Sequence, residues 1–214
     1  GGSALLLSVV FLRVAKGPDA SPPTTVDSID WSAHLIILLI LYGSVGFIYR
    51  GMITFVPSSF FERWSHELSL GTIGGLTTLV YLLGGIGQLG GGWLEERFDS
   101  YRSFLFLVGG YTLLTVGLFW LDGLLFLLLL MAWALLFFAG QPILNSVISR
   151  TGGQSTHGRL YGLAFAMNLG LGATGAGATG QAIDWGGFNY GFLLILLVSL
   201  MVLTLTAIMI ARKN

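Results

Sequence analysis

The sequence predicts an all-α membrane protein: six transmembrane helices arranged as two inverted three-helix repeats, preceded by the remnant of an earlier helix. Three observations carry this. Apolar stretches at about 35–57, 70–94, 103–121, 123–148, 160–183 and 190–211 fill the chain, each close to the roughly 20 helical residues that cross a hydrocarbon core. Charged residues make up 9% against 54% hydrophobic, and mean hydropathy is +0.83. The basic residues lie almost entirely in alternate gaps between the stretches. Because lipid offers no partner to an unpaired backbone N–H or C=O, each stretch is expected to be a helix.

Residues 1–33 stand apart. Ala4 to Leu12 is apolar but too short to span, and Arg13 and Lys16 follow it instead of preceding it, which is the wrong order for a signal peptide. Gly17-Pro18-Asp19-Ala20-Ser21-Pro22-Pro23 then reads as a polar linker. The segment is expected to be the end of a preceding transmembrane helix with its cytoplasmic loop, and residues 34–214 a six-helix bundle. An expression scar at Gly1-Gly2-Ser3 is the plainer alternative for the first residues.

If the linker is cytoplasmic, Arg13, Lys16, Arg97, Arg102, Arg150, Arg159, Arg212 and Lys213 share that side, while the loop 58–69 on the far side keeps Arg63. The positive-inside rule then predicts both termini in the cytoplasm, and the expected location is the plasma (inner) membrane, as a multi-pass protein.

The stretches repeat in composition. The first and fourth carry polar groups and a proline each: Arg50 with Pro57, and Gln141-Pro142 with Asn145. The second and fifth are rich in glycine, from Gly71 to Gly92 and from Gly162 to Gly180, while the third and sixth are oily. Three being odd, the second triplet enters from the opposite side, which makes an inverted-topology duplication of the kind found in transporters. Small residues four apart, as in Ala166/Gly170, Gly172/Ala176/Gly180 and Ala173/Gly177, let helix backbones approach closely. They serve tight packing within the bundle or a surface that rocks against a second bundle, and six helices offer too few faces to use them all.

Between the second and third stretches the chain reads Gly91-Gly92-Trp93-Leu94-Glu95-Glu96-Arg97-Phe98-Asp99-Ser100-Tyr101-Arg102. This resembles the cytoplasmic signature of the major facilitator superfamily, with Gly92, Leu94, Glu96, Arg97 and Arg102 near matching positions, Glu95 in place of a small residue and Asp99 in place of the second glycine. Gly158-Arg159-Leu160-Tyr161-Gly162, then Asn168, Gly170, Gly180, Asp184, Gly187 and Phe192, is similar to the penultimate helix of the same superfamily. The resemblance covers residues 35–211 and implies the second six-helix half of a twelve-helix transporter that works by alternating access. It also implies a gate brace in which Gly92, Glu96, Arg97, Asp99 and Arg102 take part. Glu96 would pair with Arg97 or Arg102 and accept hydrogen bonds from helix N-termini of the other half. An ordinary interfacial charge cluster is the alternative.

Arg50 is the leading candidate for solute binding, since a mid-membrane arginine costs about 2.5–3.5 kcal/mol unless it faces the bundle interior or water. Tyr49 stands next to it and Tyr42 two turns earlier on the same helix, and Gln141, Asn145 and Asn168 are further candidates, with Asn145 expected in the cavity and Gln88 expected to be inter-helix glue. Snorkelling to the interface, or bonding to carbonyls freed by Pro57, competes for Arg50. Trp31, Phe60, Phe61, Trp64, Trp120, Trp185 and Tyr190 are read as interfacial belts.

No Asp, Glu, His or Lys lies deep in a span, so a proton relay would need a titratable group from elsewhere. Without cysteine there is no thiolate or sulfur metal site. Ser44 between Gly43 and Gly46 has no histidine near it in sequence at membrane depth, so an intramembrane protease is disfavoured and no enzyme activity, catalytic residue, metal or cofactor is expected. The expected partners are a small solute, anionic or drug-like, membrane lipid, and a missing N-terminal six-helix half, with no nucleic acid. A non-transporting scaffold or receptor bundle is the alternative.

Overall fold

A computed structural model describes residues 31–64, 68–151 and 156–213. The expectation for the preceding-helix remnant, including Arg13 and Lys16, falls on residues 1–30, outside the described set, as does His66.

The described residues form six helices: α1 (Ala33–Arg63), α2 (Leu70–Arg97), α3 (Ser100–Gly117), α4 (Gly123–Thr151), α5 (His157–Gly186) and α6 (Phe188–Lys213). Most outrun the apolar stretches, because a helix continues past the lipid boundary until a capping residue ends it. Ser32, Ser69 and Asp99 accept the Leu35, Thr72 and Arg102 amides at 3.2, 3.2 and 3.0 Å, satisfying N–H groups orphaned at the starts of α1, α2 and α3. Gly187, at φ +76, is a backbone that L side chains rarely adopt, and it turns α5 directly into α6. Four helices are long and apolar enough to cross a membrane: α1, α2, α4 and Phe188–Arg212 of α6. The other two are diluted, α3 by its polar first turn and α5 by glycine.

The two triplets exchange their leading helices. α1, which opens the first triplet, packs against α5 and α6 of the second; α4, which opens the second, packs against α2 and α3 of the first. The packing is therefore reciprocal, as an inverted repeat requires. In lipid it depends on close fit instead of hydrophobic burial. Around α4, Trp133 stacks on Phe137 at 4.8 Å, Tyr111 meets both rings edge-on, and the Trp133 indole donates to Thr115 at 3.0 Å.

Glycine sets the inter-helix spacing. A Cβ on Gly87 or Gly91 of α2 would land on the Leu135 or Ala139 carbonyl of α4, and one on Gly175 of α5 would land on the Phe47 carbonyl of α1. Gly172 fits against Gly46. Other glycines point the other way: a Cβ at Gly74, Gly75, Gly85, Gly90 or Gly92 of α2, or at Gly158, Gly162, Gly170 or Gly177 of α5, meets nothing within 4 Å. Each glycine-rich helix thus has one face closed by packing and one left open.

Pro57 sits inside α1 without ending it. Its missing N–H deprives the Ile53 carbonyl of a helical donor, and the Tyr81 hydroxyl of α2 donates to that carbonyl at 2.9 Å. Arg63, expected in a loop, belongs to the last turn of α1. Phe60 and Trp64 also depart from expectation, for Phe60 is buried and packs edge-on against Trp64 and Phe126. Trp31, Phe61, Trp120, Trp185 and Tyr190 are exposed at or near helix ends.

Candidate functional site

Tyr49 of α1, Gln88 of α2, Phe138 and Gln141 of α4 and Asn168 of α5 converge on one cleft of about 210 Å³. Gln88, Gln141 and Asn168 lie nine, ten and eleven residues from the nearest ends of their helices, or roughly 14–17 Å at 1.5 Å per residue. Since the helices outrun the apolar stretches, which end near 94, 148 and 160, the three amides lie roughly 9–12 Å inside those stretches. Neither the Gln88 nor the Gln141 amide bonds to any described residue. Asn168 spends one N–H on the Tyr42 carbonyl at 3.0 Å and keeps its amide oxygen.

The aromatic wall is held from behind. Tyr49 stacks on Phe137 at 6.5 Å and meets Phe138 edge-on at 5.8 Å. Phe138 fits over Gly84 of α2, where a Cβ would stand 2.7 Å from its ring.

The structure thus brings together Tyr49, Gln141 and Asn168 of the six solute-binding candidates. Tyr42 is buried between α1 and α4, and its hydroxyl donates to the Asn145 amide oxygen. That bond makes a strut of the pair, so neither lines the cleft. Gln88, expected as glue, is exposed to the cleft instead. Arg50 is exposed one residue round α1 from Tyr49, outside the cleft lining, with no hydrogen bond or ion pair to a described residue. It does not take the carbonyl freed by Pro57, which Tyr81 occupies. Gln88 and Phe138 had a sequence signal of a kind: each stands next to a seam-forming residue on its own helix, Gly87 and Phe137.

At the end where α2 and α4 finish, Glu95 joins three helices. It accepts from Ser146 at 2.7 Å and Ser100 at 3.3 Å and pairs with Arg150 at 2.7 Å. The position follows from spacing, because Gly87, Gly91 and Glu95 recur every fourth residue on the face of α2 that meets α4. Glu96 points away, exposed, and pairs with neither Arg97 nor Arg102. Arg97 lies over the Trp93 ring at 4.6 Å, and Asp99 caps α3. Gly92 lies on the open face of α2.

At the opposite end Arg63, largely buried, pairs with Asp122 at 3.3 Å, donates to the Asn189 side chain and lies 5.9 Å from the Phe192 ring centre. It ties the end of α1 to the turn before α4 and to the start of α6.

Residues 1–176 match the Major Facilitator Superfamily in sequence. That match starts earlier than the expected 35–211 and stops inside α5, so α6 is covered by structural likeness alone. No curated protein matches the chain. The fold is similar to that of FucP, a Major Facilitator Superfamily transporter solved in the outward conformation (TM-score 0.80, 15% identity, covering 97% of this chain and 52% of that one). A second structure of FucP, described as the E. coli fucose:proton symporter, gives a TM-score of 0.78 at 17% identity, covering 96% of this chain and 53% of that one. PepTSo, a POT family transporter, gives 0.71 at 18% identity, covering 86% and 38%. The chain spans about half the length of the FucP structures and less of PepTSo. With the family match running through the first four helices into the fifth and the six-helix fold shared, the chain belongs to the major facilitator superfamily.

Proposed function

We propose that this chain is the C-terminal six-helix half of a transporter that moves a small solute across the plasma (inner) membrane by alternating access, with both termini cytoplasmic. The cleft lined by Tyr49, Gln88, Phe138, Gln141 and Asn168 is its wall of the central pathway. One observation carries the reading: two amides well inside apolar stretches, on different helices, face one open space and bond to nothing described. Polar groups at that depth are costly against lipid and are retained where they line a watery path.

The open faces of α2 and α5 support the same reading. Each is a stripe of small residues backed by a fully packed opposite face, which suits a second bundle that slides or rocks. The other six-helix half is the proposed occupant, in keeping with a chain half the length of FucP. Glu96, Arg97, Asp99, Arg102 and Gly92 then brace the closed gate at the Glu95 end, where Glu96 is exposed for contact with that half. Arg50 stands on the rim of the pathway and steers solute toward the cleft.

Solute flux into vesicles containing the intact protein tests this, combined with a cysteine pair placed at Gly85 and in the partner half. Flux that stops when the pair is cross-linked is expected. A protein that moves no solute, and whose open faces react equally with lipid-soluble probes in every condition, would be a scaffold or receptor.

A further inference from the structure

We infer that the groove between the end of α2 and the start of α3 holds a membrane phospholipid, its phosphodiester on Arg102 and Ser103 and an acyl chain along Phe106. This goes beyond the transport reading and does not depend on it, for the groove lies outside the solute cleft. Leu94, Phe98, Asp99, Arg102, Ser103 and Phe106 enclose about 370 Å³. One apolar stretch ends at about 94 and the next begins at about 103, so the boundary between lipid and water crosses the groove. Asp99 and Arg102 lie on its polar side and Phe106 on its apolar side, as a headgroup with its chain requires.

Two polar groups in the lining lack a partner among the described residues. The Arg102 guanidinium is exposed and makes no hydrogen bond or ion pair to a described residue, whereas Arg97 is held over the Trp93 ring. Ser103 is only 9% exposed, yet its hydroxyl bonds to no described residue. Other buried serines of the bundle, Ser44, Ser59 and Ser199, donate to a carbonyl of the preceding turn. A hydroxyl so far out of solvent is costly unless something in the groove bonds to it. With a free guanidinium on the adjacent residue, the partner that satisfies both is an anionic oxygen. The Asp99 carboxylate, which accepts the Arg102 amide at 3.0 Å, stands in the same lining. Its charge favours a singly charged phosphodiester over a doubly charged phosphate.

The groove faces away from the proposed second bundle. Leu94 is nine residues from Gly85, roughly two and a half turns, and so lies on the side of α2 opposite Gly85 and Gly92. Glu96, two residues past Leu94, is turned roughly 200° from it, toward those glycines. The acid of the proposed brace and the groove therefore occupy different sides of α2, and lipid is the neighbour left to the groove. Phe106, 74% exposed, stands one turn beyond Arg102 on α3 and presents an aromatic face below the cation. Basic pockets between helices at the membrane boundary are suited to lipid headgroups for this reason.

The test titrates the intact protein in detergent with phosphatidylglycerol, with diacylglycerol of the same chains and with inorganic phosphate. Bound lipid is read by native mass spectrometry and the unfolding midpoint by thermal scans. Phosphatidylglycerol, which joins phosphate to chain, is expected to raise the midpoint and to bind at least about tenfold more tightly than either part alone. Arg102→Gln should weaken it about tenfold, and Ser103→Ala and Phe106→Ala about threefold each. Leu113→Ala, as exposed on α3 but outside the groove, should leave it unchanged. Equal retention of phosphatidylglycerol and diacylglycerol, unaltered by Arg102→Gln, would mean unspecific annular lipid and overturn the inference. Inorganic phosphate that binds as tightly as phosphatidylglycerol, and ignores Phe106→Ala, would overturn the lipid as occupant. Neither result bears on solute flux, so the transport reading stands or falls separately.

Discussion

Along α2, Gly84, Gly87 and Gly91 rest on α4 residues that are not glycine, Phe138, Leu135 and Ala139, whereas in the α1–α5 seam Gly46 of one helix meets Gly172 of the other. The repeat gives both seams the same place in the architecture, a glycine-rich helix against the leading helix of the other triplet. In the first, close approach depends on α2 alone, which leaves α4 able to carry a bulky ring. In the second, glycine on both helices brings the backbones near enough for the Asn168 side chain to bond the Tyr42 carbonyl. The cleft draws on both outcomes, taking Phe138 from one seam and Asn168 from the other. Unequal repeats thus produce a wall with one aromatic and one amide side.

The comparison breaks most completely at Gly91. Any side chain there meets the Ala139 backbone carbonyl, which has no rotamer by which to yield. Gly91→Leu is expected to cost about 3 kcal/mol or more, at or beyond the top of the usual range for overpacking. Denaturant titration of the protein in detergent, followed by near-UV circular dichroism at the Trp133 and Tyr111 cluster, measures it. A loss below about 1 kcal/mol would mean that α2 and α4 are further apart than described.

In the other seam Gly46→Ala drives a methyl into the Asn168 backbone carbonyl and to 2.9 Å from its side-chain nitrogen. The expected cost is about 2 kcal/mol, from overpacking plus the lost Asn168–Tyr42 bond. A double-mutant cycle sharpens this. Asn168→Leu should cost about 1 kcal/mol in the parent and close to nothing beside Gly46→Ala, because the bond it removes is already broken. Additive effects in the unfolding free energy would separate the amide from the seam.

The helices themselves were legible, because length, apolar run and backbone satisfaction in lipid leave few choices. The reciprocal packing was partly legible, since the alternation of polar-with-proline, glycine-rich and oily stretches announced two triplets but not which helix would face which. Side-chain direction was the hidden quantity. Gln88 and Asn145 are both amides in apolar helices, and which of them faces open space depends on how α2 and α4 are each turned about their axes. Only the packed arrangement reveals that Asn145 is taken up by Tyr42 while Gln88 is left open. Glu95 was hidden by the resemblance itself, which directed attention to Glu96, although the run Gly87, Gly91, Glu95 already placed Glu95 on the packed face. The role of Arg63 is hidden because a proline at 57 reads as the end of a helix, whereas α1 continues for six more residues.

The end of the α2–α4 seam yields a smaller effect. Glu95→Gln retains hydrogen-bonding capacity toward Ser146 and Ser100 but loses the charge facing Arg150. Since Arg150 is mostly exposed, the pair is screened and the expected cost is about 1 kcal/mol. Glu96→Gln, exposed one residue on, should leave unfolding unchanged. It should instead alter how readily cysteine probes near Arg102 react, by shifting the balance between inward-open and outward-open forms. The reverse assignment, stability lost at Glu96 and probe reactivity altered only at Glu95, would move the brace from the signature position to Glu95.

The smallest effect on folding is the most informative about the open faces. Gly85 lies on α2 among the packed glycines in sequence, yet its Cβ would meet nothing within 4 Å. Judged from this chain alone, Gly85→Ala should be neutral or stabilise the helix by up to about 1 kcal/mol, since alanine restricts the unfolded backbone more than glycine does. If a second bundle rides on that face, the same methyl intrudes on the sliding surface, so solute flux through the intact protein should fall while its unfolding midpoint stays level or rises. Gly84→Ala supplies the contrast from one residue away, where the methyl strikes Phe138 and should lower stability and flux together. Flux unchanged by Gly85→Ala would leave lipid as the occupant of the face, and the glycines there would need an explanation other than a moving partner.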